Sequence, residues 1–564
     1  MVLAIVRKEI LGSGRHARYY AVRGGYLLLL ACITIPSLMT AASRLAANPY
    51  GASHFGKDFT IAFGVLQFVL VVLLAPAFSI GSIANERATG GLDLLHAAGI
   101  GGVGIVSGKF AARMAWLALF VASGLPLFFA GTLMGGAGAE TVALLGAHCF
   151  VAGALGTALG FTFSGGMRQT VPALALAYLV LVALYVGVPL ALVFYSEGVA
   201  SSRVPDAWYA WVSPIASVVQ FTDGNLPARI AWFSLVPSLG LVGAALLPSV
   251  VFASPSSETG SRSGPAASLP EGRNDPARSG VAARTAWRPK IHGNPIAWRD
   301  ARAARHGLAS HILRISYFVL GLLVVGGSIA AALGRNMRGK AWTLATIVDA
   351  LQGDNNVREL SRIALFILIG GAALVTLVTA SGAIAEERDR RALPLLKLSR
   401  LSAGDLVLGK LWGLAVYLWP VTVLPVALAV VFYGVRDPMA VFETMALLGA
   451  NLVIATGAGL FFSSFSQKAA TAAGFALGVA LVYTLVPPIV VEFLRVGRTS
   501  QRVLIAIDPI ISTIEVLDRF GRSNAWDYGR TDQMLAMGGL VFQSIAGAML
   551  AMVAWRILDA REEA

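Results

Sequence analysis

Charged side chains and cysteines are scarce in this sequence of 564 residues. Asp, Glu, Lys and Arg make up only 13% of it, whereas 56% of the residues are hydrophobic and the mean hydropathy is +0.72. Such a composition excludes an ordinary soluble domain and indicates a protein with many membrane spans. The only cysteines, Cys32 and Cys149, fall within apolar runs, so neither a disulfide framework nor a cysteine-ligated metal cluster is expected.

Motifs that carry catalytic chemistry are missing or lack the context that they need. The segment 99–104 (GIGGVG) fits a dinucleotide-binding pattern, but it follows an apolar run instead of a β-strand, and we expect a turn there. The segment 334–341 (GRNMRGKA) ends in Ala where a nucleotide-binding loop needs Ser or Thr. His96 and His148 have no partner at a metal-ligand spacing. We therefore assign no catalytic residue, metal or cofactor and expect no enzyme activity.

Long apolar runs are abundant. A membrane-spanning helix needs about 20 apolar residues, and about twelve runs meet that length. They lie near 26–42, 59–84, 112–134, 141–163, 171–195, 230–252, 312–334, 363–385, 411–434, 440–463, 470–493 and 534–558. The sequence thus predicts an all-α polytopic membrane protein of about twelve transmembrane helices.

Basic residues orient these spans. Five of them precede the first span against the single acid Glu9, which places the N-terminus in the cytoplasm: Arg7, Lys8, Arg15, Arg18 and Arg23. Residues 3–20 mix basic and apolar side chains and predict an amphipathic interfacial helix or, as an alternative, a basic stop that only orients the first span. The layout recurs around 294–312, so we expect residues 1–23 to be retained and not cleaved as a signal peptide. The net charge of +14 suits anionic lipid and requires no nucleic acid.

One charged segment occurs twice. Residues 83–109 align without a gap on residues 384–410, at a constant offset of 301 (384 − 83). Each copy lies between two apolar runs, which predicts a short charged helix held between two spans. The identical pairs are Ile83/Ile384, Ala84/Ala385, Glu86/Glu387, Arg87/Arg388, Leu92/Leu393, Leu95/Leu396, Gly108/Gly409 and Lys109/Lys410.

The order of motifs in each copy resembles the cytoplasmic loop of ABC-2 type transporter permeases. It consists of an apolar span, the sequence (E/N)ER, an L-x-x-L helix and the pair GK that opens the next span. The resemblance implies two parallel six-span halves fused in one chain, 1–252 and 294–564, with coupling loops at 85–108 and 386–408. It implies an exporting permease driven by a separate ABC ATPase subunit, present in two copies. The permease is then a multi-pass protein of a bacterial inner membrane that contacts lipid and has both termini in the cytoplasm. The segment 253–293, rich in Ser, Pro, Gly and Arg, is predicted to be a disordered cytoplasmic linker.

The resemblance assigns ATPase coupling to residues at matching positions of the two loops. A glutamate in the first turn of a helix is favoured by the helix dipole, and leucines three apart share one face, which can lie on the bilayer or enter an ATPase groove. An ordinary interfacial turn with snorkelling lysines is the alternative. The assigned residues are Glu86, Arg87, Leu92, Leu95, Glu387, Arg388, Leu393 and Leu396, with a second inside turn at Arg168 and Lys468.

Other classes of protein stay open. A twelve-span secondary transporter fits the repeat, although such carriers usually keep acids inside their spans and these spans carry almost none. A non-transporting membrane scaffold also fits. The Gly- and Ala-rich runs near 112–163 predict close helix packing, and the segment 196–229 predicts short interfacial helices or a plain loop on the outer face. Nothing in the sequence chooses a substrate.

Overall fold

Helices make up all the regular structure in the part of the chain that the structure describes. This computed structural model describes residues 2–14, 20, 23–28, 30–31, 52–133, 138–167, 170–198, 205–222, 224–254, 294–306, 308–337, 343–352, 355–389, 392, 401–435, 437–494, 508–519 and 530–563. Within these ranges there are α-helices and one π-helical segment, and no strand. The predicted all-α fold is confirmed.

The first half starts with an amphipathic helix, here called the elbow helix. Its helices are α1 (Val2–Gly14, the elbow helix), α2 (Ala52–Ser79), α3 (Ser82–Ala88), α4 (Gly91–Ala97), α5 (Gly102–Leu133), α6 (Ala139–Gly166), α7 (Thr170–Val182), α8 (Val188–Gly198), α9 (Asp206–Val212), α10 (Pro214–Thr222), α11 (Ala228–Phe233) and α12 (Leu235–Ala253). A π-helical segment, Ala183–Gly187, joins α7 to α8. Pro189 follows it and has no N–H to offer the carbonyl of Tyr185, which explains the irregular turn.

The second half repeats this order. Its helices are α13 (Pro295–His306, the second elbow helix), α14 (Leu308–Asn336), α15 (Leu344–Gln352), α16 (Asn355–Gly382), α17 (Ala385–Asp389), α18 (Ala403–Tyr433), α19 (Pro438–Phe465), α20 (Ala469–Leu494), α21 (Pro509–Arg519) and α22 (Arg530–Glu563). The elbow helices α1 and α13 confirm a helix ahead of each first span, and its place in the membrane interface stays a prediction. The short helices α9 and α10 confirm that 196–229 forms short helices and not a plain loop, and α21 stands at the corresponding place of the second half.

Ten of the described helical segments are long and apolar enough to cross a membrane, and each coincides with a predicted span. The predicted span 470–493 falls within α20 (Ala469–Leu494), of which Ala469–Thr484 qualifies as a shorter apolar helix. Most of the predicted first span, 26–42, and nearly all of the linker, 255–293, lie outside the described residues. The described helices therefore support the predicted arrangement of spans.

Glycines of the fourth span, α6, allow it to lie directly against the second span, α2. A Cβ atom added at Gly153 would lie 2.7 Å from Val71 Cγ1, and one at Gly156 would lie 3.1 Å from Pro76 Cδ. A side chain at either position would need one of these helices to move, so the predicted packing role of the small residues is confirmed.

The two halves meet through the second and fifth spans of each half and through the first span of the second half, α14, which packs on α7 and α8. The second span of the second half, α16, packs on the fifth span of the first half, α7, and α2 packs on α20 in the reciprocal way. Gly382 at the end of α16 leaves room for Val171, and a Cβ added at Gly327 would lie 2.5 Å from Phe194. One apolar core, which includes Tyr178 and Tyr317, runs across this contact. The reciprocal pairing is the arrangement expected of parallel repeats.

Candidate coupling site

Two glycines with left-handed backbone shape the loop after the second span. Gly90 (φ 71°) lies between α3 and α4, and Gly99 (φ 77°) follows α4. The N–H of Gly99 donates to the carbonyl of His96 at 2.9 Å and ends that helix. The GIGGVG segment thus begins as a helix-terminating turn next to a span, as expected, and not as a dinucleotide-binding loop after a strand.

A buried lysine joins this loop to two other elements. Lys109 belongs to α5, the third span, and its side chain is only 5% exposed. Its Nζ donates to Glu86 Oε1 of the loop at 2.9 Å and to Glu9 Oε1 of the elbow helix at 2.6 Å. Arg113, one turn further along α5, lies 3.8 Å from Glu9 Oε2. Loop, span and elbow helix therefore share one ionic cluster.

The second half builds the same cluster. Lys410 Nζ lies 2.8 Å from Glu387 Oε1 of the loop and 2.9 Å from Asp300 Oδ2 of the elbow helix. Arg299 adds a second cation, 2.9 Å from Asp300 and 2.5 Å from Glu387. Each cluster thus contains two acids and two bases, so its formal charges cancel. Full neutralisation is what allows charges to lie this deep.

A glycine beside each lysine brings the elbow helix close to the third span. A Cβ added at Gly108 would lie 2.9 Å from Ile5 Cβ, and one at Gly409 would lie 2.8 Å from Ile296 Cβ. Because there is no side chain at these two positions, the acid of the elbow helix comes within hydrogen-bond reach of the lysine. The repeated Gly-Lys pair at the start of each third span is explained in this way.

The arginine that follows each glutamate fixes the loop to the end of the fourth span and, in the first half, also to the end of the sixth span, α12. Arg87 donates to the carbonyls of Gly165 at 2.9 Å and Phe252 at 2.7 Å. Arg388 donates to the carbonyls of Ser466 at 2.5 Å and Ser464 at 2.8 Å. The last carbonyls of a helix have no partner within it and carry the negative end of its dipole, so a guanidinium is well placed there.

A serine hydroxyl near the end of each fourth span holds the base of the loop. Ser164 Oγ accepts from the N–H of Ala84 at 3.2 Å, and Ser463 Oγ accepts from the N–H groups of Ile384 and Ala385, both at 2.9 Å. The orphan donors at the start of each loop helix are thereby satisfied.

The leucine face of the first loop points into the protein. Leu92 is 6% exposed in a core cluster with Ile83 and Phe161, and Leu95 packs against that cluster. We expected this face to lie on the bilayer or enter an ATPase groove, but it is occupied by the fold's own spans. Leu94, by contrast, is 73% exposed. Leu393 and Leu396 lie outside the described residues.

Of the two residues predicted to form a second contact with the ATPase, Lys468 and Arg168, the structure describes only Lys468. Lys468 is exposed in the turn between α19 and α20, near the Ser464 and Ser466 carbonyls that Arg388 binds. Arg168 lies outside the described residues.

The predicted coupling glutamates are largely covered. Glu86 and Glu387 retain 22% and 15% exposure of their side chains, so most of each carboxylate is used inside the fold.

The ionic environment keeps the elbow helix charged. Burial acts to raise the pKa of the Glu9 carboxyl, but the hydrogen bond and charge of Lys109 outweigh it and leave this pKa below the usual 4.5. Burial likewise acts to lower the pKa of Arg299, and the carboxylates of Asp300 and Glu387 raise it further than burial lowers it. Both groups are thus ionised at neutral pH.

Comparison with known families adds to this geometry. The sequence profile of the ABC-2 family transporter proteins matches residues 13–251 and again residues 294–554. The chain belongs to the ABC-2 transporter family. It is therefore a multi-pass membrane subunit of an ABC transporter with two fused permease repeats, of a family whose membrane subunits are typically not catalytic and work with an ATPase. None of the curated proteins compared with the chain matches it.

Sequence comparison of the loops alone missed the elbow-helix acids. Glu9 lies 74 residues before Ile83 and Asp300 lies 84 residues before Ile384, so the offset of 301 does not bring these two acids into register. A second search at an offset of 291 aligns Ile5 with Ile296 and Glu9 with Asp300. That weaker repeat was the signal that could have found them.

Proposed function

We propose that the chain is the permease of an ATP-driven exporter whose ATP hydrolysis takes place on separate subunits. Two ATPase copies dock from the cytoplasm, one on each loop, 85–108 and 386–408. In this proposal both termini are cytoplasmic and the protein lies in the inner membrane of a bacterium. Membership of the ABC-2 family supports a separate ATPase partner. The repeated loops support one docking position on each half.

The observation that carries the proposal is the shared ionic cluster. In both halves one lysine of the third span binds a loop glutamate and an elbow-helix acid at the same time, with distances of 2.6–2.9 Å. A force applied to the loop by a docked ATPase therefore acts on the elbow helix and the third span together. An ordinary interfacial turn with a snorkelling lysine would leave Lys109 exposed, whereas it is buried.

This geometry refines the roles of the loop residues. Glu86 and Arg87, and their counterparts Glu387 and Arg388, hold the loop against the spans, so we assign them to positioning. The surface left for the ATPase in the first half includes the exposed residues Asp93 and Leu94 of α4. The exposed side chain of Leu94 offers apolar surface that a docked partner can remove from water.

A secondary transporter is the second candidate, and the contact between the halves argues against it. Ion-coupled carriers bind the driving ion with acids inside their spans. The central stretches of the spans that meet there, as far as the structure describes them, contain no acid: 59–79, 170–196, 308–336, 363–382 and 469–484.

The test uses the purified complex of the chain with its ABC ATPase in lipid nanodiscs. Leu94→Asp is expected to weaken ATPase binding at the first half at least tenfold in titration. The variants Glu86→Gln and Glu387→Gln should still bind the ATPase. They should lose most of the permease's stimulation of ATP hydrolysis by that ATPase. Glu359→Gln is the matched control, since Glu359 is exposed near the start of α16, at the opposite end of that helix from the coupling loop. If Leu94→Asp and both glutamine variants behave like this control, the docking and coupling assignments are wrong.

A further inference from the structure

A buried histidine lies at the other end of the fourth span from the coupling site. His148 precedes Gly165 by 17 residues (165 − 148), or about 25 Å at the 1.5 Å rise of an α-helix. Its side chain is buried, and Nδ1 lies 2.9 Å from the carbonyl oxygen of Leu144. Because a carbonyl can only accept, Nδ1 carries a proton. Nε2 lies 3.0 Å from Ser234 Oγ.

This histidine is connected to the short outer helix α10. Ser217 of α10 is fully buried, and its Oγ lies 2.9 Å from Ser234 Oγ. Ser234 itself stands between α11 and α12, where the sixth span begins. The three side chains therefore tie together the fourth span, the sixth span and the outer helix in front of it.

The second half ties the same three elements together through side chains that do not titrate, beside the buried Asp508 that precedes α21. Asn451 of α19 donates to the carbonyl of Leu447, four residues back, at 2.9 Å, and lies 3.4 Å from Thr513 Oγ1 of the outer helix α21. Gln543 of α22 donates to Ser512 Oγ of α21 at 2.9 Å. Asn451 lies within two residues of the position that aligns with His148 (148 + 301). The chain thus contains a titratable connection and a neutral one.

The hydrogen bonds of His148 depend on its protonation. In the neutral ring Nε2 accepts, so Ser234 donates to it and Ser217 donates to Ser234. In the charged ring Nε2 donates to Ser234, whose own proton must then go to the carbonyl of Ala231, 2.6 Å away. Hydrogen bonds can be made in both states, but the charged state places an imidazolium in a buried site.

The surroundings offer no compensation for that charge. Cys149, next in the chain, and Tyr26 of the first span, in the same core cluster, are neutral at physiological pH. Glu140 bonds the exposed Trp232 indole at 3.3 Å, two turns away along α6, and Arg229 is exposed. The other described side chains around the ring, on α2, α6 and α10, are apolar: Ile61, Val65, Phe68, Leu145, Pro214 and Val218. A buried unpaired charge is unfavourable, so protonation favours exposure of the ring to water.

We propose that His148, Ser234 and Ser217 form a proton-operated latch that holds the outer helix of the first half while the ring is neutral and releases it in acid. The Asn451 and Gln543 amides that bond α21 do not titrate, so α21 has no latch of this kind. Since the latch and the ATPase-coupling site lie at opposite ends of the fourth span, the inference stands independently of the proposed ATPase docking.

The test is hydrogen–deuterium exchange of the purified full chain in nanodiscs at pH 7.5 and 5.5, corrected for the intrinsic exchange rate. With an ordinary histidine pKa of about 6.5 in the released state, the population of the released helix should rise about tenfold between these pH values. Protection of residues 206–222 should therefore fall about tenfold in the parent between these pH values. No fall in the parent, or the same fall in a variant whose residue 148 cannot gain a proton, would overturn the latch.

Two variants supply the controls. His148→Gln should keep the protection of 206–222 and remove its pH dependence, because a glutamine amide reaches the position of Nε2 and can bond Ser234 but cannot gain a proton. Asn451→His should add to 509–519 a pH dependence beyond that of the parent, and it decides the question if the first variant does not fold. Persistence of the pH dependence in His148→Gln, or no added pH dependence in Asn451→His, contradicts the proposal.

Discussion

Replacing Lys109 by Met should destabilise the protein more than replacing Lys410 by Met. Each change leaves two carboxylates partly buried without their shared ammonium. Breaking a fully buried ion pair from one side costs about 3–5 kcal/mol, and the loop and elbow acids here are 15–22% exposed, so about 2–3 kcal/mol is a reasonable expectation.

The two halves differ in what remains after the change. In the second half Arg299 still lies 2.9 Å from Asp300 and 2.5 Å from Glu387, whereas in the first half Arg113 lies 3.8 Å from Glu9. Arg299 is 43% exposed, so solvent screening limits its compensation to about 0.5–1 kcal/mol. The free energy of unfolding should therefore differ by about 1 kcal/mol between the two variants, with the Lys109 variant the less stable.

The assay is thermal unfolding of the purified chain in detergent, followed by tryptophan fluorescence. Lys410→Met should unfold about 2 °C above Lys109→Met, since each half is about the size for which 1 kcal/mol has that effect. Lys468→Met, at an exposed lysine, is the control and should match the parent. Adding Glu86→Gln to Lys109→Met should recover part of the loss, because one unpaired charge disappears. Equal midpoints, or the reverse order, would refute the assignment of the ionic clusters.

Three further predictions follow from the same contacts. The lowered pKa of Glu9 means that its stabilising contribution is complete above the usual carboxyl pKa of 4.5 and is lost as the pH falls through the lower folded value; the thermal midpoint should decline in that window for the parent and stay flatter in Glu9→Gln. Arg87→Lys and Arg388→Lys should each speed the exchange of the adjoining loop amides, since an ammonium cannot span the two carbonyls that the guanidinium binds. A cysteine at Ser261, in the linker outside the described residues, should react with an impermeant reagent in inside-out vesicles and not in intact cells. Labelling in intact cells would show that the proposed orientation of the chain in the membrane is wrong.

Span positions could be predicted from the sequence because hydropathy depends only on local composition. Ten predicted spans coincide with helices that the structure describes, and the repeated loop marks the same place in both halves. The glycines of α6 were also correctly interpreted, since close packing needs small residues wherever the helices lie. Each of these features depends on side-chain size or polarity alone.

Side-chain partners required the three-dimensional structure. The spacing of Leu92 and Leu95 predicts a shared helical face, but it cannot say whether lipid, a partner or the protein's own spans cover that face. The sequence is compatible with Lys109 as a snorkelling lysine at the end of a span. Its burial depends on acids from two distant segments, which the sequence does not connect to it. The pairing of Glu9 with Lys109 was not predicted, because the two halves differ by ten residues between elbow helix and loop, 84 against 74.

The second span of each half links the proposed docking loop to the contact between the halves. It ends at the loop, where Glu86 or Glu387 enters the ionic cluster, and along its length it packs on the fifth span of the opposite half. Gly382, two residues before Ile384, faces Val171 of the other half, so the base of the loop itself belongs to this contact. Displacement of a loop would therefore change the contact between the halves directly, without an intervening element. The described contact is apolar and closed, and opening it from the loops is the step that ATP hydrolysis would have to drive in the proposed exporter.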